Sequence, residues 1–434
     1  MGTGRRGPLG EAPHKPRWPQ GRTAAPNAPT AAATVRRLRR GGGLSGREPH
    51  SGQAGRPDLA IMASTKSARV PTGQVGHVTR CIHLHIGPRK SGTTFLQQAL
   101  ISNAQALRAE GLLYPVTGRS LRQRLLGAPR WLNHEKELLA ACTAEASSTT
   151  EWLSRELAAT SEDVILSGEA VAACSPAELD HLTANLGVGD LHVIITARAL
   201  EAVIPSTWQQ HIRNGRTASL ATFVDNIARL NDQRQQAPLT WATDPAQGFW
   251  LANDHAALAE RWIARGAQVS VVTVPAGAAP AETLWQRFLR ALGLSNAAIT
   301  ASTIPNMQPL HVGLTAPEAL TLREIVWQLE CGGMDISERR RWAHRLVDDV
   351  FRGRPTRGPA LHLTGADLHR ARQSAADDAA QLATLVENGQ IALYGDLADL
   401  TPSEIVVEID QAQLSREITN LGGRCIAYLE GARS

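Results

Sequence analysis

Residues 82–96 read IHLHIGPRKSGTTFL, an apolar segment that runs directly into a small basic loop and then into a helix-forming segment. This layout predicts a β-strand, a glycine-containing loop and an α-helix that begins near Thr93. In such a loop, backbone N–H groups and the positive end of the helix point at one spot, where they stabilise an anion. The stretch therefore predicts an anion-binding loop at the end of a strand.

The lysine of this loop does not stand where nucleotide triphosphatases place theirs. Their pattern, G-x-x-x-x-G-K-[ST], fits Gly87 and Gly92, but it requires a lysine where this chain has Thr93. Four of the 45 basic residues are lysines, and one of them, Lys90, lies inside the loop. Because arginine is the default cation of this chain, an ammonium group that can approach a single oxyanion indicates chemistry at position 90. The alternative is a solvated surface lysine.

Further along the chain, apolar segments of strand length alternate with helix-like segments. The strand-like segments are 81–86, 111–115, 164–166, 191–197 and 269–274. This alternation predicts an α/β fold, a three-layer, doubly wound and mainly parallel sheet with a P-loop-like anion loop. Ligands of such sheets bind beyond the carboxyl ends of the strands, where this loop begins. Apolar residues at steps of three and four predict a C-terminal helical cap over residues 316–400.

Composition divides the chain into a tail and a body. Residues 1–78 are basic and rich in Pro, Gly and Arg, and we expect them to be disordered because they cannot bury enough apolar surface. Residues 79–315 are expected to form the α/β core, and residues 316–400 the helical part of the same domain. Residues 401–434 show no clear pattern and are treated as a C-terminal tail.

Charge and cysteine content limit the partners and the compartment. Residues 1–61 carry a net charge of +8, which leaves −3 for the rest, and Met62 offers an alternative start. With that body and 18 aromatic residues in all, we expect no specific nucleic-acid binding. No apolar run reaches the ~18 to 20 residues that span a bilayer, and no signal peptide is recognised. Five scattered cysteines without a C-x-x-C pair predict no disulfide framework, so we expect a cytoplasmic protein.

The loop sequence Pro88-Arg89-Lys90-Ser91-Gly92-Thr93-Thr94 resembles the P-K-[ST]-G-[ST]-[TS] loop of sulfotransferases that use 3'-phosphoadenosine 5'-phosphosulfate (PAPS), with Arg89 inserted beside the lysine. In that family the loop wraps the 5'-phosphosulfate, and its lysine assists sulfuryl transfer. The resemblance therefore implies that Lys90 is catalytic. It also implies a donor-binding loop made of Arg89, Lys90, Ser91, Gly92, Thr93 and Thr94.

A loop that binds PAPS requires a second site for the 3'-phosphate of the donor. The strand-like segment 191–197 is followed by Arg198, and Ser206 comes eight residues later. An arginine at the carboxyl end of a strand can hold a phosphate bidentately, while a hydroxyl and helix amides complete the shell. This pair is similar to the second motif of the family. An arginine and a serine at this spacing also occur by chance, and their place after a matching loop favours the functional interpretation.

Sulfuryl transfer to a hydroxyl requires a base that removes the acceptor proton. Glu169 follows the segment 164–166 closely, and burial in the crevice would raise its pKa. Many carbohydrate and bacterial members of the family carry a Ser-x-Glu or Ser-Glu here, so Glu169 is the first candidate; a helix cap or a partner of Arg198 is the alternative. His85 is a reserve base, although strand histidines are more often structural. No cluster has metal-ligand spacing, so no catalytic metal is predicted.

The resemblance extends unevenly over residues 81–400 and includes the segment 205–215, which is similar to bacterial sulfotransferase-family proteins. One departure is that the glycine-rich C-terminal motif of cytosolic steroid and phenol sulfotransferases is not found. The expected reaction moves a sulfuryl group from PAPS to a hydroxyl or amine of a carbohydrate, glycolipid or small molecule. A P-loop kinase or nucleotide hydrolase is the alternative, but its lysine and its Mg²⁺-binding aspartate are missing from the expected positions. A non-enzymatic nucleic-acid-binding protein is less favoured.

Overall fold

The protein was analysed as a computed structural model, which describes residues 80–115, 133–143, 148–187, 189–236, 245–277, 280–302, 313–354, 356–402 and 410–432. The tail predicted for residues 1–78 lies outside these ranges, as does the alternative start at Met62. The described residues all fall in one compact unit of the chain. Within these ranges, no helix has the length and apolar character needed to cross a membrane.

Six parallel strands form the centre of the described structure. The strands are β1 (Cys81–Ile86), β2 (Leu112–Leu113), β3 (Asp163–Ser167), β4 (Asp190–Ala197), β5 (Gln268–Thr273) and β6 (Ala392–Tyr394). Their order in the sheet is β2-β3-β1-β4-β5-β6. Leu84 of β1 pairs with Leu166 of β3 on one side and with Val193 of β4 on the other. The segments that follow β1, β3 and β4 therefore meet at one edge of the sheet.

Helices connect and cover these strands. They are α1 (Thr93–Ser102), α2 (Ala104–Ala109), α3 (Glu135–Ala141), α4 (Ser148–Ala158), α5 (Pro176–Leu186), α6 (Leu200–Arg213), α7 (Leu220–Gln236), α8 (Pro245–Asn253), α9 (His255–Ile263), α10 (Ala281–Ala291), α11 (Asn296–Ala301), α12 (Ala316–Cys331), α13 (Ile336–Arg345), α14 (Gly365–Glu387) and α15 (Gln411–Gly431). Single helical turns lie at Glu169–Ala173, Leu346–Phe351 and Leu397–Asp399.

The alternation of side chains along β1 explains why both faces of the sheet are covered. Ile82, Leu84 and Ile86 are buried on one face, in a core shared with α3, α4, α5 and α9. The other face packs against α1, α2 and α10. A third core joins α6 and α7 to α12, α13, α14 and α15. The C-terminal helices therefore pack around α6, which follows directly after β4.

The predicted α/β class with a parallel sheet is confirmed, and each predicted strand overlaps an observed one. The predicted helical cap of residues 316–400 is interrupted by β6, which is too short for its period to be read from the sequence. Residues 401–434, which carried no clear pattern, contain α15. Its central Gly422 and Gly423 disfavour a helix, but Leu421 and Cys425 are buried in the third core and stabilise it.

A line of buried polar groups crosses the sheet on the face toward α1. The Nδ1 atoms of His83 and His192 lie 2.9 Å apart, and His192 Nε2 lies 2.7 Å from the Ser270 hydroxyl. Only one of the two Nδ1 atoms can donate, so the ring that accepts must be neutral at Nδ1. His85 is hydrogen-bonded to Ser167 at 2.9 Å and packs edge-on against Phe288. All three histidines are buried within the sheet.

The free energy of unfolding is expected to fall as the pH decreases from about 7 to 4. Burial lowers the pKa of His192 to about 3 and that of His83 to about 4, so in this window the unfolded chain binds more protons than the folded one. Each of the two histidines should account for about 1 to 2 kcal/mol at pH 5. Thermal unfolding of His192→Gln should show a shallower pH dependence. His369→Gln, at an exposed position, is the control; equal slopes for both variants would contradict the assignment.

Candidate functional site

The loop between β1 and α1 lies at the carboxyl edge of the sheet, where β1 is flanked by β3 and β4. The Ser91 hydroxyl is hydrogen-bonded to the Pro88 carbonyl and to the Thr196 hydroxyl of β4, both at 2.7 Å. A Cβ on Gly87 would lie 1.9 Å from that Thr196 oxygen, so the approach of loop and strand requires glycine. Gly92 has φ of +82° and turns the chain into α1.

Lys90 adopts a backbone conformation that disfavours side chains. Its φ is +77°, the one positive value at a non-glycine position in the described residues. Such a conformation costs roughly 1 to 2 kcal/mol for an L-residue. The guanidinium of Arg198 donates to the Lys90 carbonyl at 2.7 Å and so fixes this conformation from β4. The half-buried side chain reaches α6, where Nζ lies 3.4 Å from Gln210 Oε1. Strain at a functional group of this kind is typical of binding and catalytic sites.

The charge around Lys90 is predominantly positive. Burial and the neighbouring Arg213 lower the pKa of Lys90, and Arg89 and Arg198 contribute in the same direction. Glu169 opposes this shift. Because several cations share a partly desolvated space, an anion placed among them would be strongly stabilised. The first-turn amides of α1, which helix geometry leaves without intrahelical partners, border the same loop.

Glu169 lies next to this loop, at the start of the turn that follows β3. The Thr93 hydroxyl donates to its Oε1, and Arg89 Nε lies 4.0 Å from its Oε2. Burial raises the pKa of Glu169, as does the nearby Glu135, whereas the hydrogen bond from Thr93 and the charges of Arg89 and Lys90 lower it. The balance is a raised pKa. A carboxylate in this state is a better base than an exposed one.

Glu135 belongs to α3, and His134 holds the start of this helix on the end of β3. The backbone N–H of His134 donates to the Ser167 carbonyl at 2.7 Å, and the backbone N–H of Ser167 donates to the ring Nδ1 of His134 at 3.2 Å. Glu135 then accepts from the Ala170 N–H at 3.1 Å and pairs with Arg89 at 3.0 Å. The second carboxylate of the site is thereby fixed beside Glu169.

The same two short elements touch again at their far ends. The sulfur atoms of Cys142, after α3, and Cys174, after the turn 169–173, lie 3.7 Å apart, and both thiols are buried. All five cysteines of the chain lie in described segments and are free thiols. Contacts at both ends therefore hold α3 against the turn that begins with Glu169.

The structure brings most of the predicted site residues together around Lys90. Glu169 contacts both Arg89 and Thr93. Ser91 supports the loop, and Arg198 is bonded to it. The side chain of Arg89 pairs with the carboxylates of Glu135 and Glu169. Gly92 and Thr94 lie at the start of α1. Glu169 pairs with Arg89. The alternative that made Glu169 a partner of Arg198 therefore does not agree with its contacts.

Two predicted residues are placed apart from this group. His85 is 1% exposed, and burial lowers its pKa to about 3, so it is a poor base near neutral pH. Its contacts are with Ser167 and Phe288. Ser206 lies on α6, one turn before Gln210 and therefore on the same helix face. No hydrogen bond joins the Ser206 hydroxyl to the described loop.

Four residues of the site were not predicted from the sequence. They are Glu135, Thr196, Gln210 and Arg213. Thr196 stands two residues before Arg198, and Gln210 and Arg213 lie in the segment 205–215. The sequence therefore showed that these three residues lie close to predicted motifs. Their contacts depend on how α3, β4 and α6 pack against the loop, which no local pattern reports. Over the described residues, no group of His, Cys, Asp and Glu side chains is arranged to hold a metal ion.

Comparison of this chain with protein-family models, curated proteins and solved structures found no match. The interpretation of the site therefore depends on its residues and their geometry.

The backbone strain at Lys90 is expected to be measurable as a stability difference. Lys90→Gly and Lys90→Ala both remove the ammonium, but glycine alone adopts a positive φ without a steric cost. Lys90→Gly should therefore be more stable than Lys90→Ala by about 0.5 to 1 kcal/mol in urea-induced unfolding. At Lys136, an exposed helical position, Lys136→Ala should instead be more stable than Lys136→Gly. Equal stability of the two variants at position 90 would contradict the strain.

Proposed function

We propose that this protein is a sulfotransferase that moves a sulfuryl group from PAPS to a hydroxyl or amine of an acceptor. The observation that carries the proposal is Lys90 itself: a half-buried ammonium held in a strained loop at a helix N-terminus, among arginines and within the electrostatic influence of Glu169. An anion loop, a single proton-donating cation and a carboxylate of raised pKa are the groups that sulfuryl transfer requires. The free cysteines are consistent with the cytoplasmic location that we propose.

The arrangement of the sheet supports a doubly wound, P-loop-like interpretation of the fold. β1 is central, and helices cover both faces. In open α/β sheets of this kind, ligands bind beyond the carboxyl ends of the strands at the place where the strand order reverses. The position of the loop at 87–92, between the segments after β3 and β4, supports a ligand site of this kind.

The donor would bind with its 5'-phosphosulfate on the loop and the first-turn amides of α1. Arg198 and Ser206 are proposed to bind the 3'-phosphate. Arg198 uses one nitrogen to hold the Lys90 carbonyl, but a guanidinium carries five N–H donors, so others remain for a phosphate. This double use would couple recognition of the second phosphate to the position of Lys90.

In the proposed reaction the acceptor oxygen forms a bond to sulfur as the bond from sulfur to the 5'-phosphate oxygen breaks. Glu169 takes the proton of the acceptor hydroxyl, and Lys90 stabilises the charge that develops on the leaving phosphate oxygen. The products are a sulfated acceptor and 3'-phosphoadenosine 5'-phosphate (PAP). No step requires a metal ion.

One observation favours a second candidate, a P-loop kinase or nucleotide hydrolase. The Thr93 hydroxyl lies against Glu169, and a hydroxyl beside a carboxylate is a pair that can bind Mg²⁺ with a nucleotide. Against this candidate, the lysine stands within the loop and not at position 93. The two functions differ in the nucleotide that they require.

PAP is expected to bind the full-length protein more tightly than ADP, and more tightly than ATP with Mg²⁺. Calorimetry or thermal-shift titration measures these affinities. Arg198→Gln should weaken PAP binding by about tenfold or more, and should weaken binding of AMP, which lacks the 3'-phosphate, by a smaller factor, because the loop also loses its bond from Arg198. Arg216→Gln, at an exposed position, is the matched control. Tighter binding of ATP with Mg²⁺ would replace the sulfotransferase with the second candidate.

Glu169→Gln is expected to reduce transfer by about 10²-fold or more, because the base is lost. Transfer is measured as PAP release from PAPS with an acceptor chosen from a panel of sugars, phenols and amines. In the unaltered protein the rate should fall as the pH decreases through the raised pKa of Glu169. Glu135→Gln removes a negative neighbour that raises this pKa, so its acid limb should lie at lower pH. An unchanged profile in Glu135→Gln, or full activity in Glu169→Gln, would refute these roles.

A further inference from the structure

Arg213 is an exception among the arginines of this protein. Every other half-buried arginine in the described ranges donates a hydrogen bond or forms an ion pair, whereas Arg213 does neither. Its Nε is inaccessible to solvent and has no hydrogen-bond partner. A partly desolvated cation without a partner is costly unless an anion compensates for it. Among the described residues no carboxylate forms a hydrogen bond or ion pair with Arg213, which points to a ligand.

The position of Arg213 connects it with Lys90. Ser206, Gln210 and Arg213 lie four and three residues apart on α6, so they share one face of this helix. Gln210 contacts the Lys90 ammonium at 3.4 Å. Arg213 lies one turn further along the helix, and its charge is the largest electrostatic influence on Lys90. The face that meets the loop therefore ends in a second cation.

The nearby carboxylate does not neutralise Arg213. Asp348 lies close enough to influence it, but Asp348 forms its ion pair with Arg352 at 2.9 Å. Arg352 is also a cation and lowers the pKa of Arg213, as burial does. Arg213 therefore has one further cation, Arg352, near it, and the nearby carboxylate of Asp348 is already paired with that cation.

We propose that Arg213 binds an anionic group of the acceptor, a carboxylate or a sulfate or phosphate ester carried near the hydroxyl that receives the sulfuryl group. This inference rests on the proposed function. A planar guanidinium binds such oxyanions bidentately. The chain would therefore act on acidic acceptors in preference to neutral ones.

The order of residues along α6 assigns the anion to the acceptor and not to the donor. Arg198 and Ser206, proposed for the 3'-phosphate, come before Gln210, and Gln210 marks the Lys90 ammonium where transfer takes place. At 1.5 Å per residue, Arg213 lies about 4.5 Å beyond Gln210 and about 10 Å beyond Ser206 along the helix axis. It therefore stands on the far side of the transfer point from the second phosphate of the donor.

The test measures how the PAP-saturated protein binds matched hydroxyl compounds that differ by one carboxylate. The probe pairs are p-nitrophenyl β-glucuronide with p-nitrophenyl β-glucoside, and 4-(hydroxymethyl)benzoate with benzyl alcohol. In at least one pair the anionic member should bind about tenfold or more tightly. Arg213→Gln should abolish this preference with the affinity for PAP unchanged. Arg213→Lys should restore part of it, and Arg216→Gln should leave it intact.

The other outcomes each overturn the inference in a recognisable way. A loss of PAP affinity in Arg213→Gln would assign the residue to the donor. No preference for the anionic member in either pair, or a preference that survives in Arg213→Gln, would show that Arg213 does not select the acceptor. Failure of the unaltered protein to bind PAP would instead remove the proposed function, and this inference with it. A normal unfolding temperature of Arg213→Gln establishes that the variant is folded.

Discussion

Two hydrogen bonds between the end of β4 and the loop after β1 determine the rest of the site. The Thr196 hydroxyl bonds to Ser91, and the Arg198 guanidinium bonds to the Lys90 carbonyl. They compensate for a backbone conformation that Lys90 would otherwise avoid. Because β4 pairs with β1 over six residue pairs, these bonds connect the loop to the centre of the sheet. The ammonium group is therefore positioned by the sheet as well as by its own helix.

The two carboxylates and the cations of the site form a single electrostatic unit. Glu135 pairs with Arg89 and raises the pKa of Glu169, while Thr93 and Arg89 lower it. The position of Glu135 depends in turn on the paired hydrogen bonds between His134 and the end of β3. Burial is the main cause of the raised pKa of Glu169, and Glu135 at the start of α3, an element far from the loop in sequence, adds to it.

Much of the fold and the centre of the site could be predicted because they follow strands directly. The strand, loop and helix around Lys90, together with Glu169 and Arg198, lie at strand ends, and parallel strands collect such residues at one edge. Gln210 and Arg213 could not be predicted in the same way, since their roles arise only when α6 packs past the loop. Likewise, β6 is recognisable only by its pairing with β5, and α15 only by the core that buries its apolar side.

The left-handed conformation of Lys90 has a consequence for the evolution of this protein in the laboratory. Selection of random variants for folding alone, such as survival of heat or protease, rewards substitutions that relieve strain. At position 90 of the described loop, a substitution that relieves this strain also removes the ammonium group. A library enriched only for stability would therefore lose this ammonium group, so a screen for improved variants must include ligand binding from its first round.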